Sequence, residues 1–474
     1  MLGLALSAAI WAASPPLAGC ELRAAPFAPG LQAECGRVSV PLKPDASSPT
    51  LRLFVARLPA QTDEPPKDPV VLIAGGPGQA ASRLAPAMAH RLGPIRRDRD
   101  IWVIDQRGTG RSTSLTCDLD EPLLARTDPD AARELARNCL DHLDEDPRWF
   151  TTSMAVRDLD AIRRAFGIDR WNLLAFSYGT RVALHHARRY PERTRSLILD
   201  GLVLEERVLG PDTAERTQQS LDQLFERCRK SPPCFEHLSD PALHLVELIE
   251  RLRAPRTVTV PHPRTGAPTA VQLDPDRLRS TVRLMAYDEA TRSILPLALE
   301  LAARHDRWET LASQSLLLSS NLVEQMAIGM HNAVACSEDA PRFPEPSKVG
   351  EELDRTFLGR GPFAALRAMC EVWPRGFVDP DLFEPLQTDV PALILSGQED
   401  PITPPSDAEV FVERRDDAHH VVVPGHGHGA LLGGCTPGIV SVFVESPEAF
   451  DYDGSCIERH SPTPFAIDPG GPAP

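Results

Sequence analysis

The sequence predicts an α/β fold in which a mostly parallel central sheet is interrupted by an inserted, mainly helical cap domain. Between residues 69 and 201, apolar runs of strand length alternate with segments of helical period, as in a parallel sheet covered by helices. The period becomes mostly helical from about 205 to 385, broken by a Pro-rich stretch at 254–275, and strand-like runs return after residue 390. We therefore expect a first part of the core at 19–204, an insertion at 205–385, and a second part of the core with a Pro/Gly-rich tail at 386–474. The tail is expected to be loose from residue 461 onward.

Length and charge restrict the functional classes. A chain of 474 residues can form one large core, or a core with an insertion of domain size. Its 50 basic and 66 acidic residues give a net charge of −16, which argues against a nucleic-acid or anionic-membrane partner.

The first 18 residues carry no charge and begin with a continuous apolar run. This run is too short to span a membrane and is followed by two prolines. It is interpreted as a secretory signal peptide that lacks a basic start, and the alternative is a buried N-terminal helix. The first interpretation predicts a secreted or periplasmic protein.

The ten cysteines fall into neighbouring pairs, which predicts disulfides in an oxidising compartment. Residues 17–20, Leu-Ala-Gly-Cys, also resemble a bacterial lipobox, but a lipid on Cys20 would leave Cys35 unpaired. Their spacing does not match a zinc site, so we predict that the protein binds no metal. The simplest pairing joins Cys20 to Cys35, Cys117 to Cys139, Cys228 to Cys234, Cys336 to Cys370, and Cys435 to Cys456.

In the first part of the core, residues 36–42 and 51–58 alternate apolar and polar side chains and predict two edge strands. Residues 69–73 then predict a buried strand that ends in the loop Gly75-Gly76-Pro77-Gly78. Such a loop brings backbone N–H groups close to a ligand, as an oxyanion hole requires, although a plain tight turn is the alternative.

The next buried strand, 101–104, is followed by a loop with three charged residues, Asp105, Arg107 and Arg111. We expect these charges to form ion pairs that hold the loop. An amphipathic helix is predicted at 153–166, with Thr152 or Ser153 as its N-cap.

Residues 171–176 predict a buried strand that runs directly into Ser177-Tyr178-Gly179 and then into a helix. A strand, a sharp turn and a helix are the context in which a Gly-x-Ser-x-Gly elbow exposes its serine above a sheet. Here Ala175 replaces the first glycine. Ser177 is therefore a candidate nucleophile.

Two later loops supply an acid and a base. A strand at 390–397 leads to Asp400-Pro401-Ile402-Thr403, and a strand at 419–424 leads to Gly427-His428-Gly429. A serine hydroxyl needs a base to take its proton, and the base needs an acid to fix its tautomer. Serine, acid and histidine in this chain order is the arrangement of α/β-hydrolases, which favours Asp400 and His428 as partners of Ser177.

Other residues could take the roles assigned to Asp400 and His428. Asp200 also lies at a strand end, and Glu399 directly precedes Asp400. His426 is the alternative base, two residues before His428.

Together these segments resemble the proline iminopeptidase and tripeptidyl aminopeptidase branch of the α/β-hydrolases, especially its secreted members. The resemblance extends over nearly the whole chain and depends on the segments at 75–78, 105–112, 177–180, 397–404, 427–429 and 336–339. It implies that Ser177 is the nucleophile, Asp400 the orienting acid and His428 the base. The amides of Tyr178 and of a glycine near Gly76 would form the oxyanion hole. Ala175 departs from the family pattern, as does Ala74, which stands where many iminopeptidases have histidine.

The resemblance also implies a role for Glu338, which lies within the insertion. A carboxylate suits the free α-amino group of a peptide, so Glu338 is expected to bind that group. The alternative is an ordinary solvated acid in a loop.

The sequence thus predicts a serine exopeptidase that acts on peptides with a free N-terminus and needs no metal and no organic cofactor. An esterase or lactone hydrolase with the same triad is the alternative, and a binding protein built on a hydrolase scaffold is a third.

Overall fold

The computed structural model describes residues 14–25, 28–45, 47–117 and 127–472. Most of the predicted signal peptide, residues 1–13, lies outside the described residues.

Within the described residues, nine strands form one sheet in the order β1-β2-β3-β5-β4-β6-β7-β10-β11, and two more form a separate hairpin, β8-β9. The sheet strands are β1 (Ala18–Leu22), β2 (Leu31–Pro41), β3 (Thr50–Leu58), β4 (Val70–Ile73), β5 (Ile101–Ile104), β6 (Trp171–Phe176), β7 (Thr194–Asp200), β10 (Ala392–Gly397) and β11 (Ala418–Val423). The hairpin strands are β8 (Arg256–Pro261) and β9 (Pro268–Leu273).

The sheet is mostly parallel, which confirms the predicted fold class. Strands β5, β4, β6, β7, β10 and β11 pair in parallel, whereas β1, β2 and β3 are antiparallel, and so is the β3–β5 pair. The prediction that β2 and β3 are edge strands was wrong, because β1 pairs with β2 and β5 pairs with β3. The edges of the sheet are β1 and β11.

Helices cover the sheet and make up most of the insertion. Around the sheet lie α1 (Ala81–Met88), α2 (Gly93–Arg96), α4 (Thr152–Ala165), α5 (Tyr178–Arg189), α15 (Pro405–Val412), α16 (Thr436–Glu445) and α17 (Ser455–Glu458). Helix α3 (Pro129–Asp141) packs instead against a helix of the insertion, Gly361–Val372. Between β7 and β10 lie α6 (Thr213–Lys230), α7 (Pro232–Leu238), α8 (Pro241–Arg251), α9 (Pro275–Met285), α10 (Glu289–His305), α11 (Glu309–Gln325), α12 (Ile328–Val334), α13 (Pro346–Asp354) and α14 (Gly361–Val372).

The position of the insertion follows from the sheet order. Strands β7 and β10 are neighbours in the sheet although residues 201–391 separate them in the sequence. The chain therefore leaves the sheet at its carboxyl edge, builds the insertion there, and returns to the adjacent position.

The insertion has an apolar core of its own, in which Leu224, Leu248 and Val282 are fully buried. Two features of this core were not expected. The β8–β9 hairpin lies in a segment predicted to be a Pro-rich break between helices, and it contributes Val260 and Val271. The tail, predicted to be loose, also packs here through Phe465 and Ala466, and the amide of Ala466 donates to Ser293 O at 3.1 Å.

Helix α12 connects the insertion to the sheet. Its residues Met330, Ala333 and Val334 belong to the apolar core on one face of the sheet. Just before it, the amide of Ala327 donates to Gly78 O at 2.9 Å. The insertion therefore contacts the Gly-Gly-Pro-Gly loop directly.

The charged loop after β5 has the expected structural role but different partners. The Asp105 carboxylate accepts from Ser82 N, Ser82 Oγ and Arg111 N, each at 2.8 Å. Arg107 is fully buried and forms a two-point ion pair with Asp158 of α4, with distances of 2.6 and 2.7 Å. These contacts tie the loop to two neighbouring helices.

All ten cysteines lie within the described residues, and the structure joins each to its predicted neighbour. Five disulfides fit an extracellular, oxidising location. In the part of the chain that the structure describes, none of the helices has the length and apolarity needed to cross a membrane.

Candidate active site

Ser177 occupies a sharp turn between β6 and α5. Its backbone has φ 51° and ψ −125°, a strained conformation for a residue with a side chain. The amide of Ser177 donates to Asp200 O at 2.8 Å, which extends the pairing between β6 and β7 to the turn itself. The side chain is partly exposed, as a nucleophile requires.

Small residues make this turn possible. A Cβ placed on Gly179 would lie 2.7 Å from the carbonyl oxygens of both Ile73 and Ala74, so α5 can approach β4 only with glycine there. A Cβ on Gly75 would lie 2.9 Å from Ser177 Cβ. The Gly-Gly-Pro-Gly loop and the serine turn are therefore in direct contact.

Asp400 lies in the loop after β10, defined here as the acid loop, residues 397–404. One carboxylate oxygen accepts from the amides of Ile402 and Thr403 at 2.8 and 2.9 Å, and the other accepts from Thr403 Oγ1 at 2.9 Å. The second oxygen also lies 2.7 Å from His428 Nδ1. Burial raises the pKa of Asp400, but the His428 charge and these hydrogen bonds outweigh burial and lower it below its usual value.

His428 lies in the loop after β11, defined here as the base loop, residues 425–429. Its Nδ1–H donates to Asp400, which leaves Nε2 as the atom available for a proton from a nucleophile. Burial lowers the pKa of His428, but the charge and hydrogen bond of Asp400 raise it above its usual value. The insertion holds this loop, because the amide of His428 donates to Tyr287 O at 2.9 Å.

The serine turn, the acid loop and the base loop meet at Gly201. A Cβ on Gly201 would lie 2.7 Å from Thr403 Oγ1 and 3.0 Å from His428 Cε1. Gly201 directly follows Asp200, whose carbonyl oxygen accepts from the Ser177 amide. The structure thus brings the three predicted residues, Ser177, Asp400 and His428, to one place above the sheet.

The rival acids have other partners. The Asp200 carboxylate accepts from the amides of Ala430 and Leu431 at 2.8 and 2.9 Å, so it orients the chain just after the base loop. Burial raises the pKa of Asp200 to about 6. Glu399 forms ion pairs with Arg227 and Arg292 of the insertion.

The rival base also faces away from Asp400. His426 is buried, its Nδ1 lies 3.4 Å from Gly427 O, and its Nε2 lies 3.6 Å from the Glu289 carboxylate. The geometry therefore favours His428 over His426.

The predicted oxyanion hole consists of the backbone amides of Tyr178 and Gly76. Tyr178 is the first residue of α5, where backbone amides precede the first intrahelical hydrogen bonds. Gly76 has φ 109°, and a Cβ there would lie 2.6 Å from the Met326 methyl group. The assignment of these two amides to the oxyanion remains a prediction.

Glu338 lies in a π-helical turn, Ala335–Asp339, and its side chain is fully buried. Its carboxylate accepts from Thr152 N at 2.7 Å and Thr152 Oγ1 at 2.9 Å, and lies 3.3 Å from Arg181 Nη1. Glu338 thus caps α4 in place of the predicted Thr152 or Ser153, because α4 begins at Thr152 itself. Burial raises its pKa to about 7. Binding of a substrate amino group by Glu338 stays a prediction, and in this structure the carboxylate is enclosed.

Sequence reasoning assigned no role to Thr403, which bonds Asp400 through both its amide and its hydroxyl. An aspartate followed three residues later by threonine is a turn pattern, and this signal was available. Gly201 and Arg292 were also missed, because their importance lies in contacts with residues far away in the sequence.

Comparisons with known proteins agree with the observed fold. A model of the alpha/beta hydrolase fold family matches residues 68–434. The serine protease Hip1 of Mycobacterium tuberculosis (strain CDC 1551 / Oshkosh) is 27% identical over 422 residues, covering 78% of this chain and 76% of that protein. The tripeptidyl aminopeptidase of Streptomyces lividans is 24% identical over 473 residues, covering 91% of this chain and 85% of that protein. The putative hydrolase YuaR of Escherichia coli is 30% identical over 181 residues, and this match spans only 36% of each chain.

Proposed function

Because this chain belongs to the alpha/beta hydrolase fold family, we propose that it is a serine exopeptidase that removes N-terminal residues or short N-terminal peptides. The observation that carries the proposal is the hydrogen bond of 2.7 Å between Asp400 and His428 Nδ1, formed beside the strained Ser177 turn. Relatives named as a serine protease and as a tripeptidyl aminopeptidase, similar over most of the chain, favour peptides as substrates.

In the proposed acylation step, Ser177 Oγ attacks the scissile carbonyl carbon and its proton passes to His428 Nε2. The carbonyl oxygen becomes an oxyanion, which the amides of Tyr178 and Gly76 stabilise. The carbon–nitrogen bond then breaks, and the proton on Nε2 passes to the departing amine. Asp400 stabilises the imidazolium that exists between the two proton transfers.

In the proposed deacylation step, water attacks the acyl-enzyme and gives a proton to His428 Nε2. The ester bond to Ser177 breaks, and that proton returns to Ser177 Oγ. The first product leaves as the amine and the second as the carboxylate, so neither step requires a metal or an organic cofactor.

The insertion supports an exopeptidase rather than an endopeptidase. It contacts the Gly-Gly-Pro-Gly loop through Ala327 and the base loop through Tyr287, so it reaches both the loop proposed to hold the oxyanion and the loop that carries the proposed base. We propose that these contacts restrict the site to a chain end, which needs only one opening.

The disulfides support a location outside the cytoplasm. Five bridges persist only where thiols are oxidised, so we propose that the protein is secreted or periplasmic. The Cys20–Cys35 bridge favours a free form over a lipid attached at Cys20.

The test compares hydrolysis of two chromogenic tripeptide anilides, one with a free N-terminal amine and one acetylated. The proposal expects cleavage of the free-amine substrate only, and loss of that cleavage in Ser177→Ala. Equal cleavage of both substrates, or cleavage of simple esters alone, would instead indicate a general esterase with the same triad. The variant Glu338→Gln, which keeps the size of the side chain, tests its predicted role: a raised KM for the free-amine substrate alone would support it.

A further inference from the structure

We infer that Arg292 is a positioning residue of the active site, which holds the acid loop and the base loop at a fixed separation. The inference rests on the proposed roles of Asp400 and His428. It concerns the contacts that keep these two side chains within hydrogen-bonding distance of each other.

Arg292 lies near the start of α10, and its side chain is only 1% exposed. Its Nη1 donates to Ala286 O at 2.8 Å, to Glu399 O at 2.9 Å and to Ser220 Oγ at 3.1 Å. Its Nη2 donates to the Glu399 carboxylate. One guanidinium therefore holds both the backbone and the side chain of the residue directly before Asp400.

The same arginine also contacts the base loop. A Cβ placed on Gly427 would lie 3.2 Å from Arg292 Cδ and 2.4 Å from Tyr287 O. Tyr287 O is the acceptor for the His428 amide, and Arg292 binds the carbonyl of the preceding residue, Ala286. The base loop thus lies against the Arg292 stem and against a turn that Arg292 fixes.

Arg292 does more than neutralise the charge of the Glu399 carboxylate. Glu399 has a second partner, because Arg227 Nε lies 3.1 Å from its other carboxylate oxygen. Arg227 is 24% exposed and bonds the Glu399 carboxylate, whereas Arg292 also contacts the Glu399 carbonyl and the base loop. The two loops also bond each other directly, since Glu399 N donates to His426 O at 2.9 Å. Of the two arginines, Arg292 adds contacts to both loops, whereas Arg227 contacts Glu399 alone of these two loops, so Arg227 provides a matched control.

The pKa of His428 distinguishes a positioning role of Arg292 from a role in stability alone. If Arg292 only stabilised the fold, its substitution would leave this pKa unchanged. Three charged groups act on this imidazole: Asp400 and Asp200 raise its pKa, and Arg207 lowers it. Asp400 has the largest effect of the three, so any increase in the Asp400–His428 separation lowers the pKa of His428. The acid limb of the activity profile then moves to lower pH.

The experiment compares Arg292→Met with Arg227→Met, both checked for folding by circular dichroism. The measured quantity is the rate at which a fluorophosphonate probe labels Ser177, per titratable active site and as a function of pH. In Arg292→Met we expect labelling to slow about 100-fold, the scale of an ångström-sized misplacement, and the acid limb to move to lower pH. In Arg227→Met we expect a rate and a profile close to those of the wild type.

A second variant keeps the test decisive if Arg292→Met does not fold. Arg292→Lys retains the positive charge beside Glu399, but a single ammonium cannot make all four contacts, so we expect a smaller loss with the same shift of the acid limb. An unchanged rate and profile per active site in the folded Arg292 variants, or equal losses in the Arg227 variant, would overturn the inference. Failure of the proposed function is distinguishable, since the wild type would then label with the probe yet leave free-amine peptides intact.

Discussion

The proposed nucleophile and the proposed acid–base pair have different surroundings in the molecule. Ser177 is fixed by backbone of the core: its amide bonds Asp200 O, and Gly75 and Gly179 permit close approach on either side. The acid loop and the base loop bond each other, through Glu399 N and His426 O, and are also held by the insertion, through Arg292 and Tyr287 O.

This difference predicts which proposed catalytic residue is affected by a substitution in each part of the molecule. A substitution in the insertion leaves the serine turn intact but alters the acid, the base and the access of substrate. A substitution of the small residues around Ser177 alters the nucleophile directly. In the proposed mechanism, the insertion therefore helps to position the acid and the base as well as covering the site.

The largest effect is expected for Ser177→Ala, which removes the nucleophile without touching the insertion. We expect peptide hydrolysis to fall about 10⁶-fold, because members of a catalytic triad act as a unit. The measurement is anilide hydrolysis together with the melting temperature, which should stay near that of the wild type. Ser441→Ala, which removes a hydroxyl bonded to Pro94 O far from the site, is the control and should keep full activity.

The next largest effect is expected at the acid loop, which contacts the insertion. We expect Asp400→Asn to lower kcat about 10⁴-fold, because the amide no longer fixes the His428 tautomer or stabilises the imidazolium. The acid limb of the wild-type profile should lie above pH 6.5, the usual pKa of histidine, and should move to lower pH in the variant.

Asp200→Asn provides the contrast, because it alters the carboxylate bonded to Ala430 and Leu431. It should cost less activity than Asp400→Asn. A larger loss at Asp200 would show that the acid has been assigned to the wrong residue.

A third prediction concerns a buried ion-pair cluster between the insertion and the helix that follows the serine. Arg181 of α5 is fully buried and pairs with Asp339 at 2.9 and 3.0 Å and with Glu338 at 3.3 Å. We expect Arg181→Met to lower the free energy of unfolding by about 3–5 kcal/mol, because two buried carboxylates lose their partner. Chemical denaturation measures this cost.

The reactivity of Ser177 in the same variant tests whether the insertion also positions the serine. Since backbone of the core holds the serine, fluorophosphonate labelling per folded molecule should be nearly unchanged in Arg181→Met. A strong loss of labelling would mean that the insertion positions the nucleophile as well.

The smallest effect is a dependence of stability on pH that comes from Glu338. Its pKa is about 7 in the folded protein against a usual value of 4.5, since burial disfavours the charged form. The folded chain therefore holds this proton more tightly than the unfolded chain, so the stabilisation is complete below pH 4.5 and is lost as the pH rises through about 7. The difference between the two pKa values corresponds to about 3 kcal/mol.

Glu338→Gln should abolish this dependence. The measurement is the free energy of unfolding of wild type and variant at several pH values between 4.5 and 7. Glu351→Gln, at a side chain that is 90% exposed, is the matched control and should follow the wild type. Parallel curves for wild type and Glu338→Gln would contradict the raised pKa.

The sequence allowed a correct prediction wherever the structure of a segment depends on residues close to it in the chain. The serine turn, the Gly-Gly-Pro-Gly loop and the alternation of strands and helices depend on neighbouring residues, so the fold class and the loops of the candidate site could be predicted. The edge strands could not, because the position of β2 and β3 depends on pairing with β1 and β5.

The burial of Glu338 was also out of reach, since it depends on Arg181, which is 157 residues away in the sequence. The β8–β9 hairpin was missed because its Pro-rich flanks resemble a linker. The same limitation applies to Arg292, whose partner Glu399 is 107 residues distant.

The disulfides share one further property: each joins a cysteine to the next cysteine along the chain, with separations of 15, 22, 6, 34 and 21 residues. A chain made N-terminus first presents these thiols in the order in which they must be joined. An oxidase that couples each thiol to the one presented just before it therefore yields the native set. This connectivity allows the protein to mature without an isomerase to exchange wrongly joined bridges.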